Sequence, residues 1–154
     1  MKYLLFYGKL LYVSCLLLNS QNSFGQSDNP CGAPVLPMNA TCTFTAGTNA
    51  GATATPTAGI PDPLCASYSG GDVWYQITVP AGGAFTIDMN TGVMTDSGMA
   101  LYSGTCSSMT LIECDDDDSG NGLMSMIQLT GQTVGATLWI RIWEYSNDNN
   151  GSFQ

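Results

Sequence analysis

The feature that most constrains the fold is a succession of short alternating segments separated by turns rich in glycine and proline. The clearest is residues 72–79 (DVWYQITV), in which Val73, Tyr75 and Ile77 share one face. An apolar period of two is typical of a β-strand, and turn signals recur about every 8–12 residues. No window after residue 26 has a helical period with capping signals. The pattern predicts an all-β antiparallel sandwich or jelly roll of about eight or nine strands.

The strands follow one another closely along the chain. Residues 72–79 and 85–89 are predicted to form a hairpin through the glycine-containing turn between them. The other predicted strands are 41–45, 50–55, 98–103, 109–114, 123–130 and 136–144, with a last one after the turn at 146–151.

The first 26 residues have the layout of a secretory signal peptide. Lys2 and Lys9 flank an apolar stretch, residues 10–18 are apolar, and small polar residues follow. The apolar run is shorter than the about 20 residues that a membrane span needs. Residues 27–154 are therefore expected to form one secreted or cell-surface domain, without membrane insertion once the signal is removed. Since Gln154 ends a strand-like stretch, we expect a domain truncated in its C-terminal strand.

The charge balance excludes one class of partner. All twelve acidic residues lie beyond residue 26, where Arg141 is the single basic residue, so residues 27–154 carry a side-chain charge of −11. Phosphate backbones are bound by clusters of Lys and Arg, so no nucleic-acid partner is expected. Such a domain either tolerates self-repulsion or recruits cations.

Five cysteines remain beyond the signal peptide, and in a secreted chain they indicate disulfides. Cys106 and Cys114 flank a predicted hairpin turn and are expected to pair, with Cys31 and Cys42 as the second pair. Cys65 is then left over, although spacing does not fix the connectivity. Zinc is disfavoured because the chain has no histidine and no CxxC pair.

Potential functional groups are concentrated at one place in the sequence, the acidic run Asp115, Asp116, Asp117 and Asp118. With the serine and glycine that follow, it places oxygen donors at alternate positions, as a helix-flanked calcium loop begins. Met126 stands where that loop needs a glutamate, and strands flank the run, so this is not that motif. A calcium ion would still relieve the carboxylate repulsion. The alternative is a solvated turn whose aspartates cap the backbone.

The strand at 136–144 has apolar residues on both faces, with Leu138, Ile140 and Ile142 on one of them. Aromatic residues opposite the core can form a sugar-stacking platform or a contact for a neighbouring module, or they can pack under a loop. A carbohydrate-binding module is the alternative function that this pattern supports. The candidate ligand-binding residues are Trp74, Trp139, Trp143 and Tyr145.

No catalytic constellation is visible. A Ser-His-Asp triad is unavailable without histidine. A glycosidase needs two carboxylates about 5–9 Å apart, and nothing in the spacing of Glu113 or Glu144 supports such a pair. The chain is therefore not expected to be an enzyme.

Six motifs in serial order carry a resemblance to a known family. They are DNPC (28–31), DVWYQITVP (72–80), FTIDM (85–89), DSGMALYSGTC (96–106), LIECDDD (111–117) and MIQLTGQTVGATLWIRIWEYSNDNNGSF (126–153). In this order the chain resembles the bacterial pre-peptidase C-terminal domain, in the cysteine-containing version found in large secreted and surface proteins.

The resemblance implies a β-sandwich of jelly-roll type that acts as a non-catalytic accessory module. Its partners would be other domains of a larger secreted protein, or an extracellular protein or glycan. Some family members bind calcium, and by that analogy Asp96, Asp28 and Asn29 join the acidic run as candidate ligands.

Overall fold

A computed structural model describes residues 25–154. The signal peptide predicted for residues 1–26 lies outside this part of the chain, apart from its last two residues. Between residues 25 and 154 there is no α-helix, and no helix there is long and apolar enough to cross a membrane. The strands are β1 (Gly47–Thr48), β2 (Val73–Thr78), β3 (Phe85–Asp88), β4 (Ser97–Thr105), β5 (Ser108–Asp115), β6 (Met126–Leu129), β7 (Thr137–Glu144) and β8 (Ser152–Phe153), with 3-10 turns at Pro30–Gly32 and Tyr145–Asn147.

The eight strands form two antiparallel layers. One layer is a four-stranded sheet in the order β2-β7-β4-β5. In the other layer β1 pairs with β8 and β3 pairs with β6. The backbones of Asn90 and Gln154 exchange hydrogen bonds of 2.7 and 2.9 Å, which join these two pairs into the order β1-β8-β3-β6. This strand order is that of a jelly roll, so the predicted fold class is confirmed.

The hairpin predicted between residues 72–79 and 85–89 is wrong. Both segments are strands, but β2 pairs with β7, with Tyr75 opposite Ile140, while β3 pairs with β6. The connection between them carries the chain from one layer to the other, and Tyr75 and Phe85 meet in the interior between the layers. Alternation identifies the buried face of a strand but not its neighbour in the sheet.

The small-residue region forms less regular structure than predicted. No strand forms over 41–45 or 50–55, and in this region Gly47–Thr48 pairs with Ser152–Phe153. Residues 50–71 instead form a loop, because glycine and alanine are depleted in strands and the prolines at 56, 61 and 63 cannot donate to a strand ladder.

Strand β7, inside the four-stranded sheet, is buried on both faces. Leu138, Ile140 and Ile142 belong to the core between the two layers. Trp139 and Trp143 belong to a second core on the outer face of the sheet. Loop residues Ala33, Ile60 and Ala66 cover this outer core.

The disulfides join Cys31 to Cys106 and Cys65 to Cys114, so the predicted pairs Cys106–Cys114 and Cys31–Cys42 are both wrong. The hairpin of β4 and β5 is present, but β4 continues to its two-residue turn at 106–107. Cys114 therefore lies opposite residue 100, about 20 Å along the strand from Cys106. A disulfide needs Cα atoms within about 7 Å. Cys42 is exposed and has no disulfide partner among the described residues.

The observed disulfides tie two loops to the β4–β5 hairpin. They close sequence separations of 75 and 49 residues and anchor the N-terminal segment and the loop around residue 65 on the outer face of the sheet. Two disulfides indicate an oxidising, extracellular type of compartment.

Candidate functional site

An acidic cluster lies where β4 begins and β5 ends. These strands are antiparallel neighbours, with Met99 opposite Asp115, so the residues before β4 lie beside those after β5. Asp96, Asp116 and Asp117 each place a carboxylate oxygen within 4.8 Å of the other two. We call these three residues the acidic cluster. It is the one group of three or more potential metal ligands that the structure contains between residues 25 and 154.

Backbone contacts hold the acidic cluster in place. The backbone N–H of Tyr145 donates to the carbonyl of Asp96 at 3.3 Å, and Ser97 donates to Leu123 at 3.0 Å. Asp115 accepts hydrogen bonds from the backbone of Met126 at 2.8 Å and of Asp118 at 3.2 Å. Asp115 thus organises the turn that presents the next two carboxylates.

The acidic cluster has unsatisfied negative charge. One oxygen each of Asp96 and Asp116 is buried and has no hydrogen-bond partner among the described residues. Burial raises the pKa of Asp96, and the neighbouring carboxylates of Asp117, Asp116, Glu144 and Asp148 raise it further. Burial likewise raises the pKa of Asp116, with added repulsion from Asp117 and Asp115. Ionised carboxylates are costly in this arrangement unless a cation balances them.

The chemistry of this cluster fits a hard divalent cation. Calcium takes about six to eight oxygen ligands and prefers carboxylates. Asp96, Asp116 and Asp117 would supply three of these ligands, two of them through the unpartnered oxygens.

The other predicted ligands lie outside the acidic cluster. Asp115 caps backbone N–H groups, as the solvated-turn alternative expects, and Asp118 is exposed. Asp28 accepts hydrogen bonds of 2.7 Å from the backbone and the hydroxyl of Thr53. Asn29 caps the first 3-10 turn by accepting from the N–H of Cys31 at 2.9 Å. Asp28 thus attaches the N-terminal segment to the loop that contains Thr53, whereas the contact of Asn29 is local.

The three tryptophans among the candidate ligand-binding residues are buried. Trp74 and Trp143 are 0% exposed and Trp139 is 7% exposed, while Tyr145 is 38% exposed. The indole N–H of Trp143 donates to the carbonyl of Ala66 at 2.8 Å, in the covering loop. The indoles therefore pack under loops, which is the third of the outcomes that the sequence left open.

A buried ion pair beneath these loops was missed. Arg141 donates from Nε to Asp72 at 3.0 Å, and the two side chains are 1% and 0% exposed. The guanidinium carbon lies 4.0 Å from the ring centroid of Tyr68. Burial opposes ionisation of Asp72, but Arg141 and hydrogen bonds from Thr55 and Tyr68 outweigh it and hold the pKa of Asp72 below its ordinary value. The sequence signal was the lone arginine within an apolar strand, since buried charges are usually paired.

Comparison with known proteins adds no assignment, because no family model, curated protein or solved structure matches the chain.

Proposed function

We propose that this chain is a non-catalytic accessory or binding module of a secreted or cell-surface bacterial protein, and that calcium bound by the acidic cluster stabilises it. The observation that carries the proposal is the convergence of three carboxylates with two buried, unpartnered oxygens. The disulfides and the sequence resemblance to pre-peptidase C-terminal domains support the extracellular setting and the accessory role.

The role proposed for calcium is to join loops. Asp96 precedes β4, whereas Asp116 and Asp117 follow β5, and the repulsion among them opposes the approach of these chain segments. A bound dication would replace this repulsion with attraction. The loop end of the sandwich would then be a firm surface for a neighbouring domain or an extracellular partner.

Thermal unfolding in millimolar calcium and in chelator tests this proposal. A ligand at about one hundred times its dissociation constant adds about 2.7 kcal/mol of stability. For a domain of this size we expect calcium to raise Tm by about 8–12 °C. Asp116→Asn should abolish the increase. The matched control Asp118→Asn, an exposed aspartate outside the cluster, should keep it.

The pH dependence gives a second readout. Because the pKa values of Asp96 and Asp116 are raised in the fold, the folded state binds protons more tightly than the unfolded state. In chelator, these two residues should therefore make stability decrease as pH rises from about 3.9 through the raised pKa values. Calcium should remove this decrease. An unchanged Tm in millimolar calcium would overturn the metal proposal.

A further inference from the structure

A cavity of about 680 Å³ lies between the two layers, at the edge of the sandwich formed by β2. Its inner wall includes Tyr75 from β2, Ile140 from β7, Phe85 from β3 and Phe153 from β8. Residues 36–45 form its outer wall. No residue of the acidic cluster lines this inter-sheet cavity.

The size of the cavity points to a ligand. The cavity is about half open to solvent, so it is a cleft and not one of the small voids of a packed interior. Cavities that bind small molecules span about 300–1,000 Å³ and are mostly apolar with a few polar groups. The inter-sheet cavity has this volume, and its wall is more apolar than polar.

The outer wall is a segment with few backbone contacts, and its movement would give a ligand access to the cavity. It crosses from one layer to the other, and its ends are fixed by a 2.8 Å hydrogen bond from the N–H of Leu36 to Gln76 and by the pairing of β1 with β8. Between these ends, residues 37–46 make no backbone–backbone hydrogen bond within the described chain. The segment can therefore move without breaking a strand ladder.

The hydroxyl of Tyr75 is a hydrogen-bond donor in the inner wall. Tyr75 is 3% exposed, and its hydroxyl makes no side-chain hydrogen bond with any residue between 25 and 154. Burial raises the pKa of Tyr75 to about 12, so the hydroxyl keeps its proton and can donate it. The hydroxyl oxygen is not one of the fully buried polar atoms without a partner, so solvent reaches it, and an acceptor on a ligand would take the place of that solvent.

The charges around the cavity favour an uncharged ligand. Arg141, the one cation beyond residue 26, belongs to the outer face of the sheet and pairs there with Asp72. Asp88 lines the cavity, but its carboxylate accepts a 2.7 Å hydrogen bond from Ser119 in the loop after β5. The wall thus offers no counter-charge to an anion, and the negative net charge of the chain repels one.

We propose that the inter-sheet cavity binds an uncharged, apolar small molecule with one hydrogen-bond acceptor, which receives the hydroxyl hydrogen of Tyr75. The apolar body lies between the two sheets, and residues 36–45 close over it.

Two neutral fluorescent probes test this proposal on the chain exported to a bacterial periplasm, where disulfides form. Prodan carries a ketone acceptor, whereas N-phenyl-1-naphthylamine has no carbonyl. Both should bind saturably, at one molecule per chain. Tyr75→Phe should weaken Prodan binding about five- to tenfold and leave the other probe unchanged.

Cavity-filling variants locate the binding. Ile87 is half-buried in the wall, so Ile87→Trp should abolish binding of both probes. Val134→Trp adds the same indole at an exposed position outside the cavity and should leave both affinities unchanged. If circular dichroism shows that Ile87→Trp does not fold, Leu36→Trp in the outer wall serves as the filling variant.

Three results would overturn the proposal. They are no saturable binding by the wild-type chain, binding that survives a folded filling variant, and a Tyr75→Phe variant that affects both probes alike.

Discussion

Replacing Arg141 by methionine should be among the most destabilising single changes in this domain. The substitution keeps a long apolar stem but leaves the carboxylate of Asp72 buried at 0% exposure without its counter-charge. Removing one member of a buried ion pair costs about 3–5 kcal/mol, because the other charge stays desolvated.

The structure places the cost near the lower end of that range. The carboxylate of Asp72 would keep four hydrogen bonds, from the backbone and hydroxyl of Thr55, from Tyr68 and from the indole of Trp74. We therefore expect a loss of about 3 kcal/mol. In a domain of this size the corresponding decrease in Tm is about 10 °C.

Chemical unfolding of Arg141→Met across a pH series is the assay. In the wild type the pKa of Asp72 is lowered, so its contribution to stability is present above the unfolded pKa and is lost as pH falls through the folded value. Without Arg141 the buried carboxyl should have a raised pKa, and protonation should relieve the penalty as pH falls. The difference in stability between the two proteins should then shrink in acid.

The double variant Asp72→Asn with Arg141→Met is the matched control. It removes both charges, so it should be more stable than the single variant at neutral pH. A loss below about 1 kcal/mol for Arg141→Met, or a loss that does not depend on pH, would refute the view that Asp72 is a desolvated charge held by Arg141.

Two further changes test the loops that cover the four-stranded sheet and the packing between its strands. Replacing both Cys65 and Cys114 by serine should cost about 4 kcal/mol in urea unfolding, the chain-entropy value for their separation of 49 residues, whereas Cys42→Ser should have little effect. A loss as small as that of Cys42→Ser would mean that other contacts hold the loop. Gly98→Ala should reduce the free energy of unfolding by about 1–3 kcal/mol and so lower Tm, because its Cβ would overlap the buried indole of Trp143. Gly120→Ala is the control, since Gly120 has open space around it, and equal effects of the two substitutions would contradict this packing.

The fold could be predicted from the sequence because its strands carry their own period. The alternation at residues 72–79 and 136–144 identified β2 and β7, and the absence of a helical period after residue 26 predicted an all-β fold. The pairing of β2 with β7 was not visible, because it joins residues far apart in the sequence, from Val73 with Ile142 to Thr78 with Thr137. The disulfide prediction was wrong for a related reason. It paired cysteines that are close in sequence, whereas both observed disulfides are long-range.

The candidate site could be predicted only in part. The acidic run drew attention to residues 115–118, and the family resemblance added Asp96, which the structure places beside Asp116 and Asp117. The sequence did not separate the carboxylates that meet from Asp115, which caps its own turn. That division depends on which backbone N–H groups are free where β5 ends, which local spacing does not encode.

The cover over the tryptophans decides between the outcomes that the sequence left open for the outer face. In the outer core the loops contribute small or mid-sized apolar residues such as Ala33, Ile60 and Ala66. Their apolar area is modest, so hydrophobic burial alone holds such loops weakly. Disulfides at both loops and the hydrogen bonds around Asp72 add the missing attachment. The outer wall of the inter-sheet cavity has no disulfide among the described residues and no backbone hydrogen bond over residues 37–46. The chain therefore fixes the cover of the outer face firmly and leaves the crossing over the cavity free to open.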